Sequence, residues 1–392
     1  MRTRIIVWII LGCGVIAALH VAKAAIATPL LLADLALDLG EVGWLTGIFA
    51  VLGLLGGAPA GAVATAIGGR TTLLLGLGVM ALAGAAGAIA HSFPILLVSR
   101  FLEGLGFVLV IVAGPAILER LTTGAQRDMA FSLWSCFMPC GIAIAMLVGP
   151  LFQTWQAFWW TSSGLATASA VMVLCGVPAD TSLGAFTLRS MCGDIRQLLC
   201  SRGTALLALC FALYSLMFFA LFSFLPVLLM DRMDASYRHA GLLSALASTV
   251  NVIGNLAAGY LIARGIGRSS LVIVASAIMG ASGIGIFLGF LPAIPTFLLC
   301  LLFSAVGGLI PATLLASAPL VAPRTLVPVA VGLMMQGSNL GQVLGPVAVG
   351  SATAAFGWGA AGAQVALFAV AGCAIALLLP AVLERSRQAV KA

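Results

Sequence analysis

Charge is what this sequence has least of. Lys and Arg number 18 and Asp and Glu 11 among 392 residues, 7% of the chain, against 62% hydrophobic residues. A soluble domain averages about 25% charged residues. Too little polar surface is present to coat a water-soluble particle, so the chain is expected as a polytopic membrane protein in contact with a lipid bilayer. Histidine is also scarce, with three copies, and there is no zinc signature, Walker loop or nucleophile elbow. These absences argue against an enzyme, and no cofactor or metal is expected. The net charge of +7 forms no patch or stripe. Basic residues come one to three per loop, which argues against nucleic acid. The nine cysteines suit no disulfide framework. Cys13, Cys136, Cys140, Cys210, Cys300 and Cys373 lie inside apolar runs, where a free thiol packs as a small hydrophobe. Cys136 and Cys140 share a helix face with no His or second thiol pair near, and are expected as core filler rather than metal ligands.

What is present is a series of long apolar runs. Runs of about 17–25 residues span a bilayer as helices. Breaks of Gly, Pro or polar residues divide the chain into twelve such spans: 5–32, 42–64, 72–90, 94–118, 129–151, 157–177, 204–230, 240–262, 269–290, 295–317, 326–350 and 360–383. Arg2 and Arg4 before an apolar run and Ala22-Lys23-Ala24 resemble a cleaved secretory signal. The run resumes through Ile26–Ala33, however, so it is expected as a retained first span. The longest connection, 178–203, follows span six. It splits the chain into two six-helix halves, 1–177 and 204–392, joined by a cytoplasmic linker. The fold expected is all-α, with twelve transmembrane helices in two pseudo-symmetric halves.

Orientation follows from Lys and Arg, which favour the cytoplasmic side. With the N-terminus inside, fourteen of the 18 basic residues are cytoplasmic, only Arg232 and Arg238 are periplasmic, and Lys23 and Arg100 lie within spans. Both termini are then cytoplasmic, and the protein is expected in a bacterial-type inner membrane. Asp34, Asp38, Glu41, Asp231 and Asp234 gather at the outer ends. Trp44, Trp155, Trp159, Trp160 and Trp358 fall near the same ends, as an aromatic belt would.

Few polar groups lie deep. Span one carries His20 and Lys23, and span four carries Arg100 and Glu103, which meet at i, i+3. Gly104 and Gly106 follow and admit close backbone approach. In the second half, Tyr214 lies in span seven, Asn251 and Asn255 in span eight, and Gln336, Asn339 and Gln342 in span eleven. A charge inside a span costs at least about 2.5–3.5 kcal/mol on the insertion scale, so it faces protein or a wet cavity. Lys23 and Arg100 outnumber the single acid, and surplus positive charge in a low-dielectric site favours an anion. The candidate substrate-binding residues are Lys23, Arg100, His20, Tyr214, Asn251, Asn255 and Asn339. The candidate proton-coupling residues are Glu103 and Lys23. Two blander readings stand beside these. Arg100 with Glu103 serves as a structural pair, and Lys23 pairs with Glu103 and stays charged. The aromatic run Phe218, Phe219, Phe222, Phe224 reads as packing, or alternatively as a pocket for apolar drugs.

Several of these patterns resemble the major facilitator superfamily of secondary transporters. Gly61-x6-Gly68 with Arg70 after span two, and Gly259 to Arg268 after span eight, look like that family's loop motif. The copies are degraded, with Thr65, Ala66 and Ala263 at positions where charge is expected. Arg100-Phe-Leu-Glu-Gly104-Leu-Gly106 resembles the family's span-four motif, and Gly341-x3-Gly345-Pro346 its Gly-Pro pattern. The resemblance implies a central cavity lined by spans one, four, seven and ten, gating by Arg70, Arg264 and Arg268, and, with those loop charges missing, a weak cytoplasmic latch. A narrower resemblance, carried by Thr28-Pro29-Leu30-Leu31 with Asp34, by 100–118 and by Leu133 to Gly141, is to the cyanate and 2-nitroimidazole transporter branch. The function expected is secondary active transport of a small, anionic solute by alternating access, with proton coupling or exchange, in a monomer. The alternative is a proton-coupled exporter of hydrophobic drugs, and a third reading is a non-transporting receptor on the same fold.

Overall fold

A computed structural model describes residues 2–123, 126, 130, 133–134, 136–179, 201–322 and 327–391; the side chains of 2, 57–59, 61–66, 327–329 and 383–391 are not described. Among the described residues, twelve helical stretches overlap the expected spans. They are α1 (Arg2–Leu35), α2 (Leu39–Ile67), α3 (Gly69–Ala88), α4 (Phe93–Leu121), α5 (Phe137–Val148, closed by a 3-10 turn at Gly149–Leu151) and α6 (Trp155–Gly176). Then come α7 (Arg202–Phe222, resuming as Leu225–Met233), α8 (Tyr237–Ala263) and α9 (Arg268–Leu288). The last three are α10 (in pieces, Ala293–Gly307, Leu309–Leu315 and Ala318–Val321), α11 (Val327–Phe356) and α12 (Trp358–Lys391). No strand occurs among the described residues. With no water in the hydrocarbon, each backbone must satisfy its own polar groups, which helices do. Ten of the described segments are long and apolar enough to cross a membrane. The linker 178–203 lies largely outside the described residues, as do Cys192, Cys200 and the Thr65 and Ala66 side chains.

Local signals set the helix ends. Asp38 and Glu41 form a reciprocal cap on α2, Oδ1 accepting from the Glu41 amide at 2.7 Å and Oε2 from the Asp38 amide at 3.0 Å. Thr154 and Ser236 accept the first free amides of α6 and α8, each at 3.3 Å.

The first six helices pack on one another, α1 on α4, α5 and α6, and α3 on α4 and α6. In the last six, α7 packs on α11 and α12, α9 on α10 and α12, and α8 on α10. The sets meet along two seams, α2 with α11 and α5 with α8. One contact recurs in both sets. Asp34 near the end of α1 accepts the Trp155 indole N–H at 2.7 Å, and Asp231 near the end of α7 accepts that of Trp358 at 2.9 Å. Trp155 and Trp358 are the first residues of α6 and α12.

The belt expectation holds for only some tryptophans. Trp44 and Trp160 are exposed, but Trp155 is 1% and Trp159 0% exposed. Trp155 places its indole N–H on Asp34 while its ring packs inside, and Trp159 lies against the buried Lys23 ammonium. Cys140, expected as core filler, is exposed; a thiol on the apolar surface of a membrane bundle carries no desolvation cost.

The end of the bundle carrying Asp34, Asp38 and Asp231 is closed. There α2 and α11 approach so closely that a Cβ on Gly43 would stand 2.5 Å from the Pro346 carbonyl oxygen, and one on Gly47 2.5 Å from that of Val343. The Tyr237 hydroxyl donates across the sets to the Ile26 carbonyl at 2.9 Å, and Ser248 to that of Pro139 at 3.3 Å. Towards the other end a cleft of about 180 Å³ opens between α2, α7 and α11, lined by Leu54, Thr204, Ala208, Leu333, Gln336 and Leu340. Gly47→Val therefore prevents closure of the acidic end, because backbone and not a flexible side chain stands in the way. Distances across that end, measured by double electron–electron resonance, lengthen in the variant; an unchanged distribution refutes this.

Candidate functional site

The buried charges of α1 and α4 come together in one cluster. Among the described residues, His20, Lys23, Arg100 and Glu103 are the charged or titratable polar side chains at 0% exposure. The Lys23 ammonium contacts Glu103 Oε1, and the Arg100 guanidinium contacts Glu103 Oε2. Each carboxylate oxygen thus faces one cation. Sequence alone supplies the Arg100–Glu103 contact as an i, i+3 pair. The Lys23 contact is the arrangement of the alternative reading, in which Lys23 is paired rather than alone. The two cations share one acid.

Every remaining donor in the cluster has a place. Lys23 Nζ lies 3.3 Å from Ser162 Oγ and 3.4 Å from His20 Nδ1. His20 Nε2 donates to the Ser162 carbonyl at 3.1 Å, which puts the ring proton on Nε2 and leaves Nδ1 to accept from Lys23. Arg100 Nε donates to the Leu45 carbonyl at 3.1 Å and Nη1 to that of His20 at 2.9 Å. Lys23 stands 4.5 Å from the Trp159 ring centroid, and the Arg100 guanidinium 4.5 Å from that of Phe49, both within cation–π range. Gly104 makes this possible. A Cβ there would sit 2.1 Å from the Phe49 carbonyl oxygen, so only glycine lets α4 approach α2 closely enough for Arg100 to reach Leu45.

The cluster does not face open space in this conformation. In front of it, between the two sets of helices, lies a narrow void lined by Val21, Ala22 and Ala25 of α1, Thr46 of α2, Ile142 and Met146 of α5, and Phe219, Phe222 and Ser223 of α7. Val21 and Ala22 lie between His20 and Lys23 in sequence, so the charges stand behind the void's α1 wall.

The candidates of the second half form a separate group. Asn251 Nδ2 donates to the Ser304 carbonyl at 3.0 Å, and Asn255 Nδ2 to Asn251 Oδ1 at 2.9 Å. Tyr214 belongs to a row of rings, 5.8 Å from Phe218, which stacks on Phe222 at 4.3 Å. Asn339 lies elsewhere, over Gly53 at the α2–α11 seam. Of the gating candidates, Arg70 donates to the Leu174 carbonyl at 2.7 Å at the end of α6, and Arg264 stacks on Tyr260 at 4.5 Å. Arg268 opens α9. Sequence reasoning missed Ser162, Thr46, Phe49 and Ser223, and took Trp159 for a belt residue. A serine or phenylalanine in an apolar span carries no signal of its own.

Comparison with known proteins agrees with this architecture. A family profile described as Major Facilitator Superfamily matches residues 10–264 and 207–391. The 3-(3-hydroxy-phenyl)propionate transporter of Escherichia coli K12 is 28% identical over 359 residues, covering 88% of this chain and 86% of that protein. The methyl viologen resistance protein SmvA of Salmonella typhimurium LT2 is 28% identical over 155 residues, 39% of this chain and 31% of its own length. Among solved structures, a bacterial homologue of the human lysosomal transporter Spinster, inward-facing and unoccupied, superposes with a TM-score of 0.79 at 17% identity, covering 97% of this chain and 98% of its own. The D-xylose–proton symporter superposes with a TM-score of 0.74 at 16% identity, covering 95% and 96%. The helices, their order and the family match over nearly the whole length lead to one conclusion: the chain is a multi-pass membrane protein belonging to the Major Facilitator Superfamily of transporters.

Proposed function

We propose that the protein is a secondary active transporter, not an enzyme, that moves a small organic anion across the inner membrane by alternating access. The observation that carries this is the charge count of the cluster. Lys23 and Arg100 share the single acid Glu103 at 0% exposure, which leaves one positive charge unmatched beside the void. A bound anion is the counterion that this field lacks. The halves 1–177 and 204–392 rock about the void. With the basic loops placed inside, the closed acidic end is the outer one and the conformation is inward-facing.

The opposite wall suggests the rest of the substrate. Phe219 and Phe222 present rings to the void, which suit an aromatic body carrying the carboxylate. The relative named for an aryl propionate, matched over 86% of its length, fits this reading. The narrower likeness to the cyanate and 2-nitroimidazole branch also points to small anions or planar rings. Glu103 and Lys23 are the proposed proton-coupling pair, since one proton moving on or off it changes the field that holds the anion. The second reading, export of hydrophobic drugs by proton exchange, is favoured by the ring row on α7 and by the partial match to SmvA.

Counterflow in proteoliposomes tests the two. Labelled 3-(3-hydroxyphenyl)propionate accumulates against an unlabelled internal pool of the same acid, and methyl viologen does not. Accumulation of methyl viologen with none of the acid would transfer the assignment to drug export.

A further inference from the structure

The void between the halves holds one polar group with nothing to bond. Ser223 Oγ is buried, the residue being 1% exposed, and has no hydrogen-bond partner. Thr46 across the void already donates to the Val42 carbonyl of its own helix at 3.1 Å. Leaving a buried hydroxyl unpaired costs about 1–3 kcal/mol. The empty protein gains nothing from the Ser223 hydroxyl to offset that.

The local sequence explains why this hydroxyl is free. Pro29 and Asp34 in α1 and Pro226 and Asp231 in α7 have the same spacing, and both aspartates accept a tryptophan indole from the sixth helix of their set. A proline cannot donate to the carbonyl four residues back. In α1, Thr28 precedes the proline, and its hydroxyl donates to the Ala24 and Ala25 carbonyls at 3.1 and 2.9 Å, so the helix continues through Pro29. In α7 the residue before the proline is Leu225, which has no hydroxyl to offer. The helix stops at Phe222 and resumes at Leu225. Ser223 falls in that break, on the void, with its hydroxyl unused. Interrupted helices commonly form the midplane binding sites of transporters.

Resting on the anion reading above, we infer that Ser223 contacts the substrate and sets its specificity, by hydrogen-bonding a neutral polar substituent on the aromatic ring of an aryl carboxylate. The orientation follows from the two walls. The carboxylate is drawn to the α1 wall, behind which His20, Lys23 and Arg100 lie. The ring stands against Phe219 and Phe222, and its far end reaches the α7 break. Ser223 therefore meets a ring hydroxyl and not the carboxylate. The void is narrow in this conformation, and parting of the halves admits the ligand.

Calorimetric titration of the full-length protein in nanodiscs tests this, with phenylacetate and its 2-, 3- and 4-hydroxy isomers as probes. Wild type binds at least one hydroxy isomer roughly 10-fold more tightly than phenylacetate, the size expected of one neutral hydrogen bond in a buried site. Ser223→Ala removes that preference and leaves phenylacetate affinity within about twofold, whereas Ser223→Thr, which keeps the hydroxyl, retains it. An isomer preference that survives in Ser223→Ala, with phenylacetate still bound, overturns the role of Ser223 and leaves the anion reading standing. Equal loss of all four probes with a lowered melting temperature assigns Ser223 a structural role and also overturns it. Failure of wild type to bind any of the four while 3-(3-hydroxyphenyl)propionate is still taken up overturns this inference alone, and failure to take up that acid as well overturns the anion reading with it.

Discussion

Lys23→Gln weakens anion binding roughly 30-fold and lowers uptake of dilute substrate in proportion, while the protein still folds. The reasoning is a charge count. Glu103 holds Lys23 on one oxygen and Arg100 on the other. Removing the lysine leaves the Arg100–Glu103 pair neutral, so no buried charge is stranded and no large folding cost arises. What disappears is the unmatched positive charge. One unit charge roughly 8 Å from an anion, at an effective dielectric of about 20, is worth about 2 kcal/mol, which is roughly 30-fold in affinity. The stem of Gln fills most of the space of the lysine stem, and His20 still donates to the Ser162 carbonyl, so the packing of α1 on α6 persists. Lys23→Arg separates charge from proton transfer. It retains binding, but it loses acceleration by an imposed proton gradient, because arginine does not deprotonate in proteins. Uptake into proteoliposomes with and without a pH gradient reads both effects. Normal transport by Lys23→Gln with unchanged pH dependence would refute the anion mechanism and advance the drug-export reading.

Glu103→Gln has the larger effect on folding. It leaves Lys23 and Arg100 facing one another at 0% exposure with no acid between them. Breaking a buried pair by removing one partner costs about 3–5 kcal/mol, because the surviving charge stays desolvated. Two charges survive here, and the carboxylate also borders α3, where a Cβ on Gly84 would lie 3.1 Å from Oε1. The variant is expected to lose most of its monodisperse fraction in detergent and to melt well below wild type. Adding Lys23→Gln to Glu103→Gln restores a large share of the loss, since one of the two stranded charges is then gone. Such recovery is a coupling between contacting residues, which a double-mutant cycle measures. A Glu103→Gln variant that melts with wild type shows that the cluster does not hold α1 to α4.

The sequence by itself determined the elements. Runs of apolar residues long enough for a bilayer have only the helix available to them, so the spans and their order followed from length and hydropathy alone. Caps such as Asp38 with Glu41 fixed helix ends for local reasons. The contact of Arg100 with Glu103 was legible because i and i+3 always share a helix face. What only the tertiary structure decided was which faces meet. Arg100 and Glu103 mark the inward side of α4, but nothing in the sequence says which helix they meet there. The partner of Lys23 lies 80 residues away and the carbonyl that holds His20 142 residues away, separations at which spacing carries no information. Trp159 illustrates the limit. Its position near a span end suits an interface, yet the α1–α6 packing buries it against the Lys23 ammonium. Ser223 shows the same thing from the other side: the proline that breaks α7 is plain in the sequence, but whether the freed hydroxyl finds a partner depends on the helices packed around it, and here they leave it facing the void.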